Sequence, residues 1–243
     1  LLTLIAMRPA QAMILAAGRG QRMRPLTDLC PKPLLNVRGQ AMITWHLHAL
    51  AAAGVHDLVI NTAWLGEQVE PHLRPLAKEL GCHIHYSHEG RDFGDALETA
   101  GGIARALPEL ADVFWVVAGD VFMPEFTFSA QALQNFEQGA ALAHLWLVPN
   151  PEHNRRGDFG LSAQGLALNL PTDTPLPRYT FSTVALYRRS FFNALPQGNP
   201  QGLKAALAPM LREAMDHGQI SAEVYTGPWT DVGTPERLAE LNG

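Results

Sequence analysis

An apolar run that stops dead at a pair of glycines constrains this chain more than any other feature. Met13-Ile14-Leu15-Ala16-Ala17 reads as a short buried strand, and Gly18-Arg19-Gly20 breaks it. A residue with a Cβ enters such a turn only at a steric cost. A glycine turn at the end of a parallel strand offers backbone N–H groups to a ligand. Ala16, Ala17, Gly18, Gly20 and Gln21 are the candidate cradle. Arg19, Arg22, Arg24 and then Lys32, between Pro31 and Pro33, gather cations around it, which suits a polyphosphate.

Two known phosphate signatures do not fit. A dinucleotide fingerprint needs a third glycine where Met23 stands, and an acidic residue about 20 residues further on. The chain there reads Asn36-Val37-Arg38-Gly39-Gln40. The Gly-Lys-Ser/Thr of a P-loop occurs nowhere. A nicotinamide-dependent oxidoreductase is therefore disfavoured.

Strand-like and helix-like segments then alternate. Strands are expected over 57–62, 83–87, 113–118 and 140–148, with helices over 41–53, 67–80, 98–107 and 129–138 between them. Gly54 and Gly81 are helix stops and Pro71 belongs to a first turn. From Pro149 to Arg178 turn residues dominate. A strand over 180–187, a helix over 203–217, a strand over 220–225 and a closing helix over 234–241 follow. The expectation is an α/β chain: a Rossmann-like mixed, mainly parallel sheet flanked by helices. Residues 1–12 read as a disordered lead and 13–243 as a single domain.

Charge and cysteine usage narrow the partners. With 23 acidic against 18 basic residues the net charge is −5, which disfavours nucleic acid. No apolar run is long enough to cross a bilayer. Cys30 and Cys82 lack the close spacing of a zinc site and read as thiols of a reducing cytoplasm. His83, His85 and His88 lack further ligands at metal spacing and read as surface histidines.

Two aspartates follow apolar segments. Asp120 ends Val116-Val117-Ala118-Gly119-Asp120, beyond the C-terminal edge of a strand, where open α/β sheets bind ligands. Asp231 sits in Trp229-Thr230-Asp231-Val232-Gly233-Thr234-Pro235, just before a helix. Each alone is equally a cap or turn residue. Beside a triphosphate loop they suit Mg²⁺ or Mn²⁺, since Mg²⁺ is held by one or two carboxylates plus substrate phosphates.

The long ordered match L-A-A-G-x-G-x-R-M-x-P-L-T, followed by P-K-P-L, resembles the signature of the nucleoside-diphosphate-sugar pyrophosphorylases. The resemblance implies an enzyme that joins a nucleoside triphosphate to a sugar 1-phosphate and releases pyrophosphate. Arg22 and Lys32 would be its catalytic cations, and Asp120 and Asp231 its metal ligands. Glu98, Thr99 and Gly101 of Glu98-Thr99-Ala100-Gly101-Gly102, with Asp158 and Lys204, would meet the sugar phosphate. Ala118 departs from the Asn often found before that Gly-Asp. The resemblance is to the short, single-domain branch, without the C-terminal β-helix that many members carry, and a monomer or weak homo-oligomer is expected. The segments AAAGVHDLVINTAWLGEQVEPHL and TFSTVALY are similar to a uridylyl-transferring branch that serves bacterial cell-wall recycling. Arg155, Arg156 and Arg178 are available there for a carboxylate on the sugar. A guanylyl-transferring branch is the rival, and a non-catalytic nucleotide-sugar-binding regulator is the reading of another class.

Overall fold

The computed structural model describes residues 10–243. The expected lead therefore lies mostly outside the described residues, but its last three do not: strand β1 runs Ala10–Ala16. Gln21–Met23, Leu26–Asp28 and Lys32–Leu34 form single 3₁₀ turns after it. A small hairpin, β2 (Asn36–Val37) and β3 (Gln40–Ala41), leads into α1 (Met42–Ala52). Then come β4 (Asp57–Thr62), α2 (Val69–Leu80), β5 (His83–His88), α3 (Glu89–Phe93), α4 (Glu98–Ala106), β6 (Leu110–Ala118), β7 (Val121–Phe122), α5 (Ala130–Gln138) and β8 (Ala143–Val148). The last third holds β9 (Phe159–Leu161), β10 (Ala167–Leu168), β11 (Arg178–Arg188), α6 (Leu207–Asp216), β12 (Ile220–Val224), β13 (Thr230–Asp231) and α7 (Pro235–Asn242).

Nine strands form one mixed sheet. β6, β1, β4 and β5 lie side by side in parallel, with Leu15 opposite Asn61 in β4 and Ala118 in β6. β11 then enters antiparallel to β6 and to β8. The turn-rich segment after Pro149 contributes two short antiparallel strands, β9 and β10.

Both faces of the sheet are covered, which is why the parallel strands read as unbroken apolar runs. Ala12, Ile14, Trp115 and Val117 pack on one side with Leu47 and Leu50 of α1, Leu73 and Ala77 of α2 and Phe136 of α5. Met13, Phe114 and Val116 face the other way, onto Ile103 and Ala106 of α4 and Leu211, Ala214 and Met215 of α6. A third, smaller cluster joins the chain's two ends: Met23, Leu35, Val37, Met42, Phe122, Val232 and Leu238. Each such burial stabilises by about 1.5–3 kcal/mol. Together they seat β13 against β7, and Asp231 beside the strand end that carries Asp120.

Expected and observed ends differ by one to four residues in most elements. Thr234 proves to be the N-cap of α7, accepting from the Arg237 N–H, with Pro235 at the first helical position. The connection from β5 to α4 holds the short helix α3 and turns at Gly94.

Candidate active site

The glycine turn lies where β1 ends. Gly20 has φ +66, and a Cβ there would come within 3.0 Å of Thr27 Cγ2 and 3.2 Å of Lys32 Cβ. Gly18 is different: no protein atom lies within 4 Å of where its Cβ would be. Only the second glycine of the pair is thus demanded by the turn itself. Two of the four cations are also spoken for by the protein. Arg19 donates to the Thr27 carbonyl and to Asp28 and stacks 3.6 Å over Trp64, while Arg24 donates to Asp28 at 2.8 Å.

Lys32 and Arg22 remain. Lys32 is 8% exposed, and its Nζ lies 2.5 Å from Asp120 Oδ2. Arg22 is exposed and has no hydrogen bond or ion pair among the described residues. Its guanidinium points toward the other aspartate's segment, 3.4 Å from where a Cβ on Gly233 would stand.

The two aspartates are brought together by backbone pairing. Asp231 stands opposite Val121, and the Val232 N–H donates to the Asp120 carbonyl at 2.9 Å. Asp231 also accepts from Arg237, and His153 Nε2 lies 2.7 Å from its carboxylate. Behind β7, His46 of α1 holds the Val121 carbonyl at 2.9 Å. Burial pushes the His46 imidazole down to about 4, against the smaller opposing pull of that carbonyl and of Asp120. Among the described residues no group of three or more His, Cys, Asp or Glu assembles into a metal cluster. His83, His85 and His88 instead lie near Asp57, Glu109 and Thr62 respectively.

One cleft with two lobes opens here. The first, about 210 Å³, is lined by Ala16, Ala17, Gly18, Lys32, Asn61 and Glu89 among others. The second, about 640 Å³, is lined by Asp158, Phe159, Phe181, Thr183, Tyr187 and Arg212 among others. They share a wall of Leu15, Glu98, Thr99, Ala118 and Asp120. Glu98 opens α4 with φ +60, a left-handed conformation that non-glycine residues rarely adopt outside sites that hold them there.

A buried polar chain stiffens the first lobe. The Ala16 N–H donates to Asn61 Oδ1 at 2.8 Å, Asn61 Nδ2 donates to Glu89 at 2.7 Å, and the other Glu89 oxygen accepts the Leu97 N–H at 2.8 Å. Burial raises the Glu89 carboxyl above the usual range, and the hydrogen bonds from Leu97 and Asn61 partly counter it. Nothing in the local sequence marks this chain of contacts, because its members come from β1, β4, α3 and the start of α4.

Some expected residues stand elsewhere. Gly101 was expected to bring a backbone N–H to a ligand, but that N–H donates to the Ala205 carbonyl at 3.1 Å. A Cβ on Gly101 would lie 2.5 Å from the Leu203 carbonyl, and one on Gly102 2.5 Å from Glu89. Both glycines therefore serve the close approach of α4 to its neighbours. Lys204 lines neither lobe, and its Nζ lies 2.5 Å from Asp95. Asp158 lines the second lobe, but its carboxylate already accepts from the Phe181 N–H and from Asn154. Gly20, Gln21, Arg22 and Asp231 stand outside both linings. Arg178 turns to the Gly157 and Asp158 carbonyls, and Arg155 reaches toward Glu152. Arg212, which no motif signals, is the one cation lining the second lobe among the described residues.

Residues 11–243 match the family model described as "Nucleotidyl transferase". An N-acetylmuramate alpha-1-phosphate uridylyltransferase from Neisseria meningitidis is 46% identical over 95% of this chain and 96% of its own length. A protein of the same description from Caulobacter vibrioides is 31% identical over 96% of this chain and 98% of its own. Among solved structures, one from Bacillus anthracis described as a glucose-1-phosphate thymidylyltransferase superposes with a TM-score of 0.76. It shares 20% identity and covers 96% of this chain and 93% of that one, a likeness of fold.

Proposed function

The chain belongs to the nucleotidyl transferase family, and from that premise we propose that it transfers a uridylyl group from UTP to N-acetylmuramic acid 1-phosphate, releasing pyrophosphate. The observation that carries the proposal is the two-lobed cleft with Asp120 in its common wall. The glycine turn borders the first lobe and receives the triphosphate. The second lobe receives the sugar phosphate, so the two phosphate groups meet at Asp120, Glu98 and Thr99.

Chemistry at that meeting point needs no nucleophilic side chain. An oxygen of the sugar phosphate forms a bond to the α-phosphorus, and the bond from that phosphorus to the bridging oxygen breaks, so pyrophosphate leaves. The attacking oxygen is already an anion, so no general base is required. Catalysis consists of alignment and neutralisation of growing negative charge. Lys32 and the N–H groups of the turn hold the phosphates in line. Arg22, exposed and unpaired among the described residues, swings onto charge that develops as the bond breaks. Thr99 and Glu98 orient the sugar phosphate.

The donor set fits a magnesium ion. Two carboxylates on paired backbone segments, with phosphate oxygens to complete the shell, match the way Mg²⁺ is commonly held, and Asp120 and Asp231 would be its protein ligands. Bound there, the ion supplies further neutralisation of phosphate charge. In the present geometry Lys32 and Arg237 balance the two carboxylates. Reaction in the cytoplasm agrees with Cys30 and Cys82 standing as free thiols.

Support for this substrate pair comes from the full-length relatives and from Arg212. N-Acetylmuramic acid carries a carboxylate on a lactyl ether, and Arg212, which donates to Asn169 and lies over Phe159, is the one cation lining this lobe among the described residues. The test is ³¹P NMR of the protein with UTP, Mg²⁺ and N-acetylmuramic acid 1-phosphate. A new diphosphate diester together with pyrophosphate is expected. Unchanged UTP and sugar phosphate signals would contradict the proposal.

A further inference from the structure

Thr183 is held in a conformation that a β-branched residue rarely adopts. Its φ is +70, in the left-handed region where a Cβ crowds the backbone. It lies in a bulge of β11, where the register with β8 shifts between Phe181 and Ala185. Three contacts hold the bulge: Asp158 accepts the Phe181 N–H, Trp229 donates to the Ser182 carbonyl, and Ser182 Oγ accepts the Val184 N–H. Because β8 occupies one edge of β11, β9 and β6 follow each other along the opposite edge. The bulge falls between them, beside the end of β6.

Among the described residues the Thr183 hydroxyl has no hydrogen-bond partner and, in this rotamer, no surface open to solvent, while Thr183 itself lines the second lobe. Tyr187, four residues on, lines the same lobe and its hydroxyl is likewise buried and unpartnered. A buried polar group without a partner is costly. Valine and phenylalanine would fill these two positions with nearly the same shape and leave nothing unsatisfied. Two orphan hydroxyls at one cavity therefore point to a polar occupant.

We propose that the Thr183 hydroxyl, turned about χ1 into the lobe, is a sugar-reading group, donating its proton to an acceptor oxygen on a ring substituent of the bound sugar 1-phosphate. The inference rests on the reading of the second lobe as the sugar site. A donor role follows from the surroundings. Glu98 and Asp120 line the lobe with acceptors, beside an Asp158 carboxylate already engaged by Phe181 and Asn154, so sugar hydroxyls that donate are served. Acceptor oxygens of a carboxylate or an acetamido group have Arg212, Thr183 and Tyr187. The strain at Thr183 is then the conformational cost of aiming this donor.

Three variants test the proposal by steady-state kinetics and thermal melting. Thr183→Val deletes the hydroxyl and keeps the shape. It is expected to raise KM for the sugar 1-phosphate about fivefold to tenfold and leave KM for UTP unchanged. Thr183→Ser keeps the hydroxyl and should stay within about twofold of the parent. Thr183→Gly removes both hydroxyl and strain, so its KM for the sugar phosphate should rise while its Tm rises by about 2–4 °C. An unchanged sugar-phosphate KM in Thr183→Val, or a fall in Tm for Thr183→Gly, overturns the inference while the proposed function stands. A parent protein that turns over no sugar 1-phosphate removes both.

Discussion

Lys32 Nζ lies 2.5 Å from Asp120 Oδ2, although 88 residues separate the two in the chain. The lysine is nearly buried and the aspartate partly open, so the pair leaves one face of the carboxylate toward the cleft. Breaking such a pair by removing one partner leaves the other charge uncompensated. In the proposed reaction Asp120 would also be a ligand of a divalent ion, which would supply positive charge beside the substrate's phosphates.

On that proposal activity is expected to depend on a divalent metal. EDTA should abolish pyrophosphate release, and Mg²⁺ or Mn²⁺ should restore it. Asp120→Asn and Asp231→Asn should each need at least about tenfold more metal for half-maximal rate, since each removes one of two charged ligands. A metal titration of the two variants checks this, and full turnover in EDTA would contradict it.

Arg22 gives a cleaner separation of stability from rate. It is exposed and unpaired among the described residues, so Arg22→Ala should leave Tm within about 1 °C of the parent. Its proposed work lies on charge that develops in the transition state. kcat should therefore fall about a hundredfold while KM for UTP moves only a few-fold. An unchanged kcat would remove Arg22 from the mechanism.

Asn61 ties the turn after β1 to Glu89 and, through it, to the start of α4. Asn61→Leu strands the Ala16 N–H and one oxygen of a buried carboxylate. A loss of about 3 kcal/mol in urea unfolding is expected, with weaker UTP binding by calorimetry. A variant as stable as the parent would show that the chain of bonds is dispensable.

Acid should destabilise the fold through its buried histidines. His46 is held neutral, at about 4 against an ordinary 6.5, chiefly by burial, and burial depresses His144 in the same direction. Between pH 6.5 and about 4 the unfolded chain takes up the His46 proton and the folded one does not. Stability contributed by the neutral ring is thus complete above 6.5 and is lost as pH falls toward 4. For His46 the loss is about 3 kcal/mol. Urea midpoints across this window should fall with pH, and His46→Gln should flatten the slope.

The parts of the molecule that were legible in its sequence share a local cause. β1, β4 and β6 are covered on both faces, so their residues must be apolar in an unbroken run. Gly20 is demanded by its own φ, and Thr234-Pro235 caps its own helix. Contacts made by topology carry no such mark. Asn61 reaches Ala16 because β1 and β4 pair, and Glu89 because β4 and β5 pair. Arg212 reaches the cleft because α6 packs beneath it, and Thr183 depends on a bulge held by Asp158 and Trp229. Gly101 and Gly102 misled for a related reason: they resemble a ligand cradle, but helix packing against Leu203 and Glu89 demands them.

The central claim is the substrate pair, and relative kcat/KM tests it most directly. UTP, GTP, dTTP and CTP are each assayed for pyrophosphate release with the 1-phosphates of N-acetylmuramic acid, N-acetylglucosamine, glucose and mannose. UTP with N-acetylmuramic acid 1-phosphate should give the highest value, at least about tenfold above UTP with N-acetylglucosamine 1-phosphate, which lacks the carboxylate opposite Arg212. A highest value for GTP with mannose 1-phosphate would contradict the account, as would equal use of the two N-acetylated sugars.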